Sequence, residues 1–454
     1  MHQASGLPPR DLNTASRAQP GSPTNPDVTQ EPTTLVLFTT TFPFGRGEEF
    51  IETEVEYLAK RFKTVVVVPN NASTRIRPMP PNAVLDRGLC DLGPLTVTEA
   101  MGATAVGRSD VLRELGCILS APPHVIPHRL REHFAAWARA KRVVSWLRLR
   151  FPTQPARTVF YTYWFDVATV GLAIAYRKTA VPMVTRAHGY DVYEDRRRSC
   201  SIPFRRLALD AISEVHCVSD HGRHYLARRY PAHAGKLLTS RLGVGKAPSQ
   251  ARASEDGVFR IVSCSYMTPV KRLPLLLDAL EELATTLDRT ISWVHIGDGP
   301  MRVELEARTR RLPASVGVTL TGHLPNDAVK EFYATSPIDA FVNVSASEGV
   351  PVSIMEAQSF GIPVVACAVG GVPEIVNDNN GSLLPQGATA EDVARGLASL
   401  MDAEVNRRLR KKSAENWATH YDAETNYELF TGHLHNHLRN TDRASKAVSD
   451  SARS

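Results

Sequence analysis

The 454-residue sequence contains no run of 18 apolar residues, and a segment of that kind would be needed for a membrane-spanning helix. Its six cysteines form no C-x-x-C pair, and the chain is too long for a disulfide scaffold. We therefore expect reduced, buried thiols in a cytoplasmic protein. The fifteen histidines show no convincing metal-ligating pattern, so no bound metal is expected.

The first residues also lack the apolar core of a signal peptide and are rich in Pro, Ser and Gly, which predicts disorder over 1–31. A polar tail over 439–454 is expected to be disordered as well. Hydrophobic residues make up 43% of the chain and charged residues 22%, values typical of a globular protein. The length suggests two domains.

The net charge of +6 and the pI of about 9.0 fit an anionic partner, such as a nucleotide phosphate, an acidic lipid surface or a nucleic acid. The charge does not choose among these partners. The sequence has neither an aromatic–basic RNA motif nor zinc spacing, so we expect no nucleic-acid partner.

Short β-rich runs alternate with helical stretches along most of the chain, which predicts parallel sheets covered on both faces. The pattern is interrupted by a small, polar linker over 246–257 and then resumes. We expect an α/β chain with two doubly wound domains, over 32–245 and 258–415, followed by terminal helices over 416–438. In such sheets ligands bind beyond the carboxyl ends of the strands, so the cleft between the domains is the expected site.

A basic helical insertion over 99–150 interrupts the first domain. Between residues 129 and 150 there are seven Lys or Arg and one Glu, a net charge of +6. Such a helix could contact a membrane surface, or it could be an ordinary solvated helix packed on the domain. Both interpretations stay open.

The stretch SEGVPVSIMEA, over 347–357, follows a predicted strand and begins a helix. Glu348 would lie in the loop at the sheet edge, Gly349 would let a ligand approach the backbone, and Pro351 would take the first helical position. The helix N-terminus favours a phosphate there, and Glu356 could accept hydrogen bonds from the vicinal hydroxyls of a ribose. Alternatively, both glutamates are merely solvated residues that suit a helix start.

Two cations, Lys271 and Arg272, are predicted to open another helix after a strand that ends near Ser265. Positive charge is unfavourable at a helix N-terminus, and an anionic ligand would remove that penalty. A solvated basic turn is the alternative.

The residues Glu348-Gly349-Val350-Pro351 and Glu356-Ala357 match the pattern E-G-x-P-x(4)-E-A, and the sequence thereby resembles the retaining glycosyltransferases of family 4. The segments 295–307, 318–345 and 361–376 are similar to the same family. The resemblance covers the C-terminal domain and implies the GT-B fold, in which two Rossmann-like domains face each other across a cleft.

This resemblance implies roles for particular residues. Glu348 would bind donor-sugar hydroxyls, Glu356 the ribose and Lys271 the diphosphate of a UDP- or GDP-sugar, beside Gly349, Val350 and Pro351. Tyr266 stands where the family usually has an Arg, so Arg272 is expected to take over that role. His188, in the first domain, would stabilise the sugar or its developing charge.

Gly45 and Gly47 would form the loop after the first strand, which borders the acceptor and the diphosphate. Arg46, Glu49 and Asp191 are weaker candidates. In the resembled family a terminal helix crosses back onto the first domain and couples cleft closure.

The resemblance implies a retaining, metal-independent glycosyltransferase that uses a glycan or lipid-linked acceptor in cell-envelope polysaccharide or glycolipid assembly. A peripheral position on the inner face of the plasma membrane, in contact with anionic lipid, fits that role. The alternatives are a GT-B nucleotide-sugar epimerase and a non-catalytic, membrane-associated scaffold that retains the fold.

Overall fold

The computed structural model describes residues 33–45, 47–93, 108–287 and 289–451. The segment predicted to be disordered, over 1–31, lies outside the described residues, as do Arg46 and residues 99–107 of the predicted insertion. The described residues include both halves of the expected α/β architecture.

The first half of the chain builds one parallel sheet of seven strands in the order β3-β2-β1-β4-β5-β6-β7. The central strands are almost fully buried, which explains their near-continuous Val, Leu and Phe content. Six strands coincide with predicted ones, whereas the three-residue edge strand β3 is too short to give a sequence pattern. The strands are β1 Thr34–Thr39, β2 Thr64–Pro69, β3 Ala83–Leu85, β4 Thr158–Thr162, β5 Met183–Ala187, β6 Glu214–Cys217 and β7 Leu237–Thr239.

Helices cover both faces of this sheet. The predicted basic insertion is helical where it is described, as the hairpin of α3 and α4. The helices are α1 Ile51–Arg61, α2 Gly88–Asp91, α3 Arg108–Leu119, α4 Ile126–Arg150, α5 Val167–Tyr176, α6 Arg205–Ala211 and α7 Asp220–Arg229.

The second half repeats the architecture with a parallel six-stranded sheet in the order β10-β9-β8-β11-β12-β13. All six strands overlap the predicted ones. They are β8 Phe259–Cys264, β9 Ile291–Ile296, β10 Val316–Gly322, β11 Ala340–Asn343, β12 Val364–Cys367 and β13 Gly381–Leu384.

The helices of this half also flank their sheet, and the last two lead back towards the first domain. They are α8 Leu273–Thr286, α9 Arg302–Thr309, α10 Asn326–Thr335, α11 Val352–Ser359, α12 Val372–Ile375, α13 Ala390–Ala398, α14 Ala403–His420 and α15 Ala423–Ser451. No described helix is both long enough and apolar enough to cross a bilayer.

The terminal helix α15 packs on the first sheet. Phe430, Leu434 and Leu438 belong to the same buried cluster as Leu35 and Leu37 of β1. The backbone of α15 continues to Ser451, so the tail predicted as disordered over 439–454 is helical up to that residue. The tail is polar, and polarity alone does not prevent a helix from extending beyond its packed part.

A fully buried ion pair lies beneath this helix. Arg186 Nη2 of β5 is 3.3 Å from Glu54 Oε2 of α1, and both side chains are fully buried. Tyr161 donates its hydroxyl to Glu54 Oε1 at 2.6 Å, and the Arg186 guanidinium lies 3.9 Å from the ring centre of Phe430. The pair therefore ties α1, the sheet and α15 together.

We expect Glu54→Ala to lower the free energy of unfolding by about 3–5 kcal/mol, because it leaves the buried Arg186 guanidinium without its counter-charge. Urea unfolding of both proteins measures the difference. The matched control is Glu56→Ala, which removes an exposed carboxylate from the same helix and should change stability by about 0.5 kcal/mol or less. Equal effects of the two substitutions would contradict the prediction.

Candidate functional site

A cavity of about 850 Å³ lies between the carboxyl edges of the two sheets. The loops after β1 and β5 line it from the first domain, and the loops after β8 and β11 line it from the second. Parallel strands direct their carboxyl ends to one edge, so the two domains place their loop residues opposite each other.

Glu348 lies in the loop between β11 and α11 and lines the cavity. Its Oε1 accepts hydrogen bonds from Lys271 Nζ at 2.7 Å and from Asn343 Nδ2 at 3.3 Å. The predicted sugar-binding carboxylate and the predicted diphosphate-binding ammonium are therefore direct neighbours, with one oxygen of the carboxylate held in place by both donors.

The following helix begins at Val352, and Pro351 is its N-cap rather than its first residue as predicted. Because Pro351, which has no N–H group, precedes the helix, the residues of the first turn all keep their backbone N–H groups. Val352 and Ser353 line the cavity, and residues at these first positions have no acceptor within the helix. The N-terminus of α11 therefore supplies positive potential at the cavity wall.

Gly349 brings the two domains into direct backbone contact. A Cβ atom at this position would lie 3.1 Å from the carbonyl oxygen of His188, and a Cβ on Gly189 would lie 3.3 Å from the Gly349 nitrogen. Side chains larger than hydrogen would push these loops apart. The contact brings the predicted His188 loop and the predicted Glu348 loop together at one end of the cavity.

Glu356 is the fifth residue of α11 and lines the same cavity. Burial raises the pKa of its carboxyl group, while a hydrogen bond from Asn326 Nδ2 at 2.6 Å acts in the opposite direction. Lys330, one turn after Asn326 on α10, also lines the cavity. Neither α10 residue was predicted, because a helix start of the type N-D-A-V-K has no distinctive pattern.

Lys271 and Arg272 have different positions. Lys271 ends a short 3-10 helix, Pro269–Lys271, and its side chain faces the cavity. Arg272 has a left-handed backbone with φ 49°, and its guanidinium donates to Val344 O at 2.7 Å and to Cys367 Sγ at 3.1 Å. Arg272 thus lies outside the cavity lining and supports the end of β11, contrary to its predicted place at the diphosphate. Tyr266 lines the cavity instead.

His188 lines the cavity and its ring packs against two aromatic rings, with centroid distances of 4.8 Å to Tyr163 and 4.3 Å to Trp164. Asp191 orients this loop: its Oδ1 accepts from the His188 N–H at 2.7 Å and its Oδ2 from the Phe165 N–H at 2.9 Å. Burial acts to raise the pKa of Asp191, but hydrogen bonds and the neighbouring imidazole outweigh it and hold the pKa below its ordinary value.

The glycine loop after β1 reaches the cavity only in part. Gly47 and Glu49 line it, whereas Gly45 lies outside and donates its N–H to Arg75 O at 3.1 Å. The buried carboxylate of Glu48 holds the loop, because its Oε2 accepts from the N–H groups of Thr41 at 2.7 Å and Phe42 at 2.6 Å.

Arg196 is a site residue that the sequence did not reveal, because it lies in the run D-R-R-R that is typical of a solvated charge cluster. It lines the cavity, and its Nη1 donates to Ser347 Oγ at 2.7 Å and to Glu348 O at 3.2 Å. Its guanidinium lies 3.7 Å from the ring centre of Tyr193. The first domain therefore places a cation against the Glu348 loop of the second.

Within the part of the chain that the structure describes, no group of three or more His, Cys, Asp or Glu side chains is arranged to hold a metal ion. Lys271, Arg196 and Lys330 are among the basic side chains that line the cavity.

Residues 248–418 match the family model of glycosyl transferases group 1. The resemblance carried by the E-G-x-P motif is thereby confirmed at the level of this group, and membership of family 4 stays a prediction. The matched residues include the Glu348 loop, Lys271 and Glu356.

Two curated relatives show the range of similar proteins. One component of the phosphatidylinositol N-acetylglucosaminyltransferase of Arabidopsis thaliana is 29% identical over 177 residues, which are 38% of this chain and 39% of that protein. The amylovoran biosynthesis glycosyltransferase AmsK of Erwinia amylovora is 28% identical over 183 residues, 38% of this chain and 44% of that protein. The matches thus span less than half the length of these relatives.

Solved structures resemble the chain over most of its length. Anabaena Alr3699/HepE in complex with UDP and glucose superposes with a TM-score of 0.61 at 16% sequence identity, covering 88% of this chain and 99% of that one. This likeness confirms the predicted GT-B fold, with two Rossmann-like domains around a cleft.

We expect Asp191→Asn to destabilise the protein at neutral pH by about 1–3 kcal/mol, because an amide replaces one of the two oxygens that accept buried N–H groups. The lowered pKa of Asp191 means that its contribution is complete above the unfolded pKa of ~3.9 and is lost as the pH falls through the folded value. The difference in the free energy of unfolding between wild type and variant should therefore become smaller from pH 7 to pH 3.

Urea unfolding across this pH range measures the gap, with Asp378→Asn at an exposed loop position as the control. A gap that stays constant or widens on acidification would show that the Asp191 charge is not stabilising.

Proposed function

We propose that this protein, whose residues 248–418 match glycosyl transferases group 1, is a glycosyltransferase. It transfers a sugar from a nucleoside diphosphate sugar to an acceptor hydroxyl with retention of the anomeric configuration. The observation that carries the proposal is the convergence of Glu348, Glu356, Lys271 and His188, from two domains, on one cavity.

The donor lies against the second domain. Glu356 binds the ribose hydroxyls, since its carboxylate faces the cavity and can accept two hydrogen bonds. The diphosphate lies between Lys271 and the N-terminus of α11. Lys271 has three ammonium donors and uses one of them on Glu348, which leaves two for phosphate oxygens.

Charge develops on the diphosphate as the bond between the sugar C1 and the phosphate oxygen breaks. Fixed donors at that place stabilise the transition state more than the ground state. We assign this role to Lys271 and the first N–H groups of α11, with Arg196 as a further cation at the same wall, and no step of this scheme needs a metal.

The acceptor hydroxyl attacks C1 from the face that the diphosphate leaves, which preserves the configuration. The proton of the hydroxyl passes to the departing phosphate oxygen, so the scheme requires no separate protein base. Glu348 holds the donor-sugar hydroxyls, and His188 faces the sugar from the opposite domain. Gly47, in the loop after β1, borders the acceptor.

Contacts between the domains favour a closed cleft. Glu374 of α12 accepts hydrogen bonds from the N–H groups of Asp220 at 3.0 Å and His221 at 2.7 Å, and so caps a helix of the first domain. Closure of this kind excludes water and limits hydrolysis of the donor.

The relatives support an acceptor from the cell envelope or from glycolipid synthesis. One is named for transfer to phosphatidylinositol and another for the biosynthesis of amylovoran. The Anabaena structure contains UDP and glucose, which supports a UDP-sugar as the first donor to test; a GDP-sugar is the second.

We expect one class of nucleotide sugar to raise the melting temperature of the purified protein, and Glu356→Ala to weaken that binding at least about tenfold, because the ribose loses its hydrogen-bonded carboxylate. A thermal-shift series with UDP-, GDP- and ADP-sugars measures this. The control is Glu281→Ala, which removes an exposed carboxylate from α8 of the same domain.

If a folded protein binds none of these donors, the transferase proposal fails and a scaffold role is favoured. Liquid chromatography of the products, coupled to mass spectrometry, then separates the remaining alternatives. A transferase requires an acceptor to form its product, whereas an epimerase releases an isomeric nucleotide sugar without one.

We further propose that the hairpin of α3 and α4 contacts an anionic membrane on the inner face of the plasma membrane. Leu112 and Leu119 on α3 are 66% and 69% exposed, and Phe134 on α4 is 50% exposed. Leu115 and Leu130 add exposed apolar surface to the same two helices. This surface, next to the net positive charge of α4, is typical of an interfacial contact.

The double variant Leu112→Ser, Leu119→Ser is expected to reduce binding to phosphatidylserine-containing vesicles at least about tenfold, since each buried Leu contributes roughly 1.5–3 kcal/mol. Vesicle co-sedimentation measures the binding. The matched control is Leu429→Ser, which alters a 64% exposed leucine on α15. Unchanged binding of the double variant would leave the hairpin as a solvated pair of helices.

A further inference from the structure

A second cavity, of about 320 Å³, lies entirely within the first domain. Its wall is formed by residues that follow strands at the carboxyl edge of the sheet, including Thr40 after β1, Asn70 after β2 and Asp166 after β4. Helix α4 closes the opposite side. The volume is at the small end of the range of about 300–1,000 Å³ for small-molecule sites.

The second cavity adjoins the cleft cavity. Tyr190 and Arg197, which follow β5, line both of them. The two cavities therefore share part of their wall, in the loop that also carries His188.

Three arginines face the second cavity: Arg139 and Arg142 from α4, and Arg197. Each uses a donor on a backbone carbonyl: Arg139 Nε on Ala135 O at 3.1 Å, Arg142 Nη2 on Leu89 O at 2.9 Å, and Arg197 Nη2 on Tyr190 O at 3.1 Å.

Among the residues that the structure describes, none of these three guanidinium groups has a carboxylate within ion-pair distance, and the buried Nε of Arg142 has no hydrogen-bond acceptor. Other arginines of this domain are paired, as in Arg113 with Asp210 and Arg150 with Asp86. A cluster of cations without a carboxylate in direct contact is suited to an anionic ligand.

Two carboxylates also line this cavity, and Arg139 interacts electrostatically with one of them, Asp166, whose pKa burial raises to about 6. Glu132 Oε2 accepts from Ser199 Oγ at 2.6 Å, and Asp166 Oδ1 accepts from the Ala168 N–H at 3.0 Å as the N-cap of α5. They hold the cavity wall in shape, and three guanidinium charges against two carboxylates leave the lining positive.

We propose that the second cavity binds an anionic group of the acceptor, a carboxylate or a phosphate, through Arg139, Arg142 and Arg197. Thr40, Asn70 and Asn71 offer hydrogen bonds to neighbouring hydroxyls. The acceptor is then an acidic sugar or a phosphate-linked sugar, whose reactive hydroxyl extends past Tyr190 into the cleft. This inference rests on the proposed transferase function and adds the chemical class of the acceptor to it.

The test measures binding to the full chain by calorimetry, with methyl glucuronide, farnesyl diphosphate and the neutral methyl glucoside as probes. We expect at least one anionic probe to bind about tenfold or more tightly than methyl glucoside, because hydrogen bonds between charged groups are the stronger ones. Preference for the glucuronide indicates an acidic sugar, and preference for the diphosphate indicates a phosphate-linked acceptor.

Arg142→Gln and Arg139→Gln should each abolish most of this preference without changing donor affinity. Arg139 is exposed, so its variant keeps the test valid if loss of the Arg142 contact to Leu89 disturbs folding. The matched control is Arg148→Gln, which removes an exposed arginine of the same helix away from the cavity.

Equal binding of charged and neutral probes, or equal effects of Arg142→Gln and Arg148→Gln, would overturn the inference. Donor binding, measured separately with the nucleotide sugars, distinguishes failure of this inference from failure of the proposed transferase function. Loss of the anion preference with intact donor binding refutes only this inference, whereas absent donor binding refutes the transferase function and the acceptor role with it.

Discussion

The backbone of Gly349 packs against the carbonyl group of His188, and the shape of the cleft depends on this contact. The contact joins the loop after β5 of one sheet to the loop after β11 of the other, and so brings an imidazole to one side of the cavity and a carboxylate to the other. Gly370 supports the same loop from behind, because a Cβ atom there would overlap the carbonyl oxygen of Glu348. Close backbone packing thus positions the chemical groups.

Hydrogen bonds within the protein fix the polar groups of the cleft. Lys271 and Asn343 bind the Glu348 carboxylate, Asn326 binds Glu356, and Asp191 orients the His188 backbone. Such prior organisation reduces the reorganisation needed in a transition state. The terminal helix α15 stabilises the first domain. It covers the buried Arg186–Glu54 pair and packs the last part of the chain onto the first sheet.

The two cavities differ in what their charged groups do. In the cleft, the Lys271 ammonium is paired with a carboxylate, so it balances charge there. In the second cavity the arginines use backbone carbonyls, which satisfy one donor each and neutralise no charge. Both cavities lie along the carboxyl edge of parallel strands, and this difference underlies the two binding roles that we propose for them.

Local patterns in the sequence were sufficient to predict two α/β domains, each with a parallel sheet. Continuous apolar runs predicted the parallel strands, and the pattern E-G-x-P-x(4)-E predicted Glu348 in a loop and Glu356 within the following helix, of which it is the fifth residue. These features depend on neighbours within a few residues. The same patterns could not place Arg272, because its left-handed backbone turns the guanidinium towards Val344 and Cys367, away from the cleft.

Long-range packing decided the rest. Arg196 and Asn326 line the cleft, and Arg139, Arg142 and Arg197 line the second cavity, only because segments far apart in the sequence approach each other. Gly45 and Gly47 are two residues apart, yet only Gly47 reaches the cleft, since Glu48 anchors the loop that contains them. The sequence by itself determined the strands of both sheets except β3, and the motif that begins α11, because those follow from local patterns. The tertiary structure alone decided which side chains share a cavity, because that depends on contacts between residues far apart in the chain.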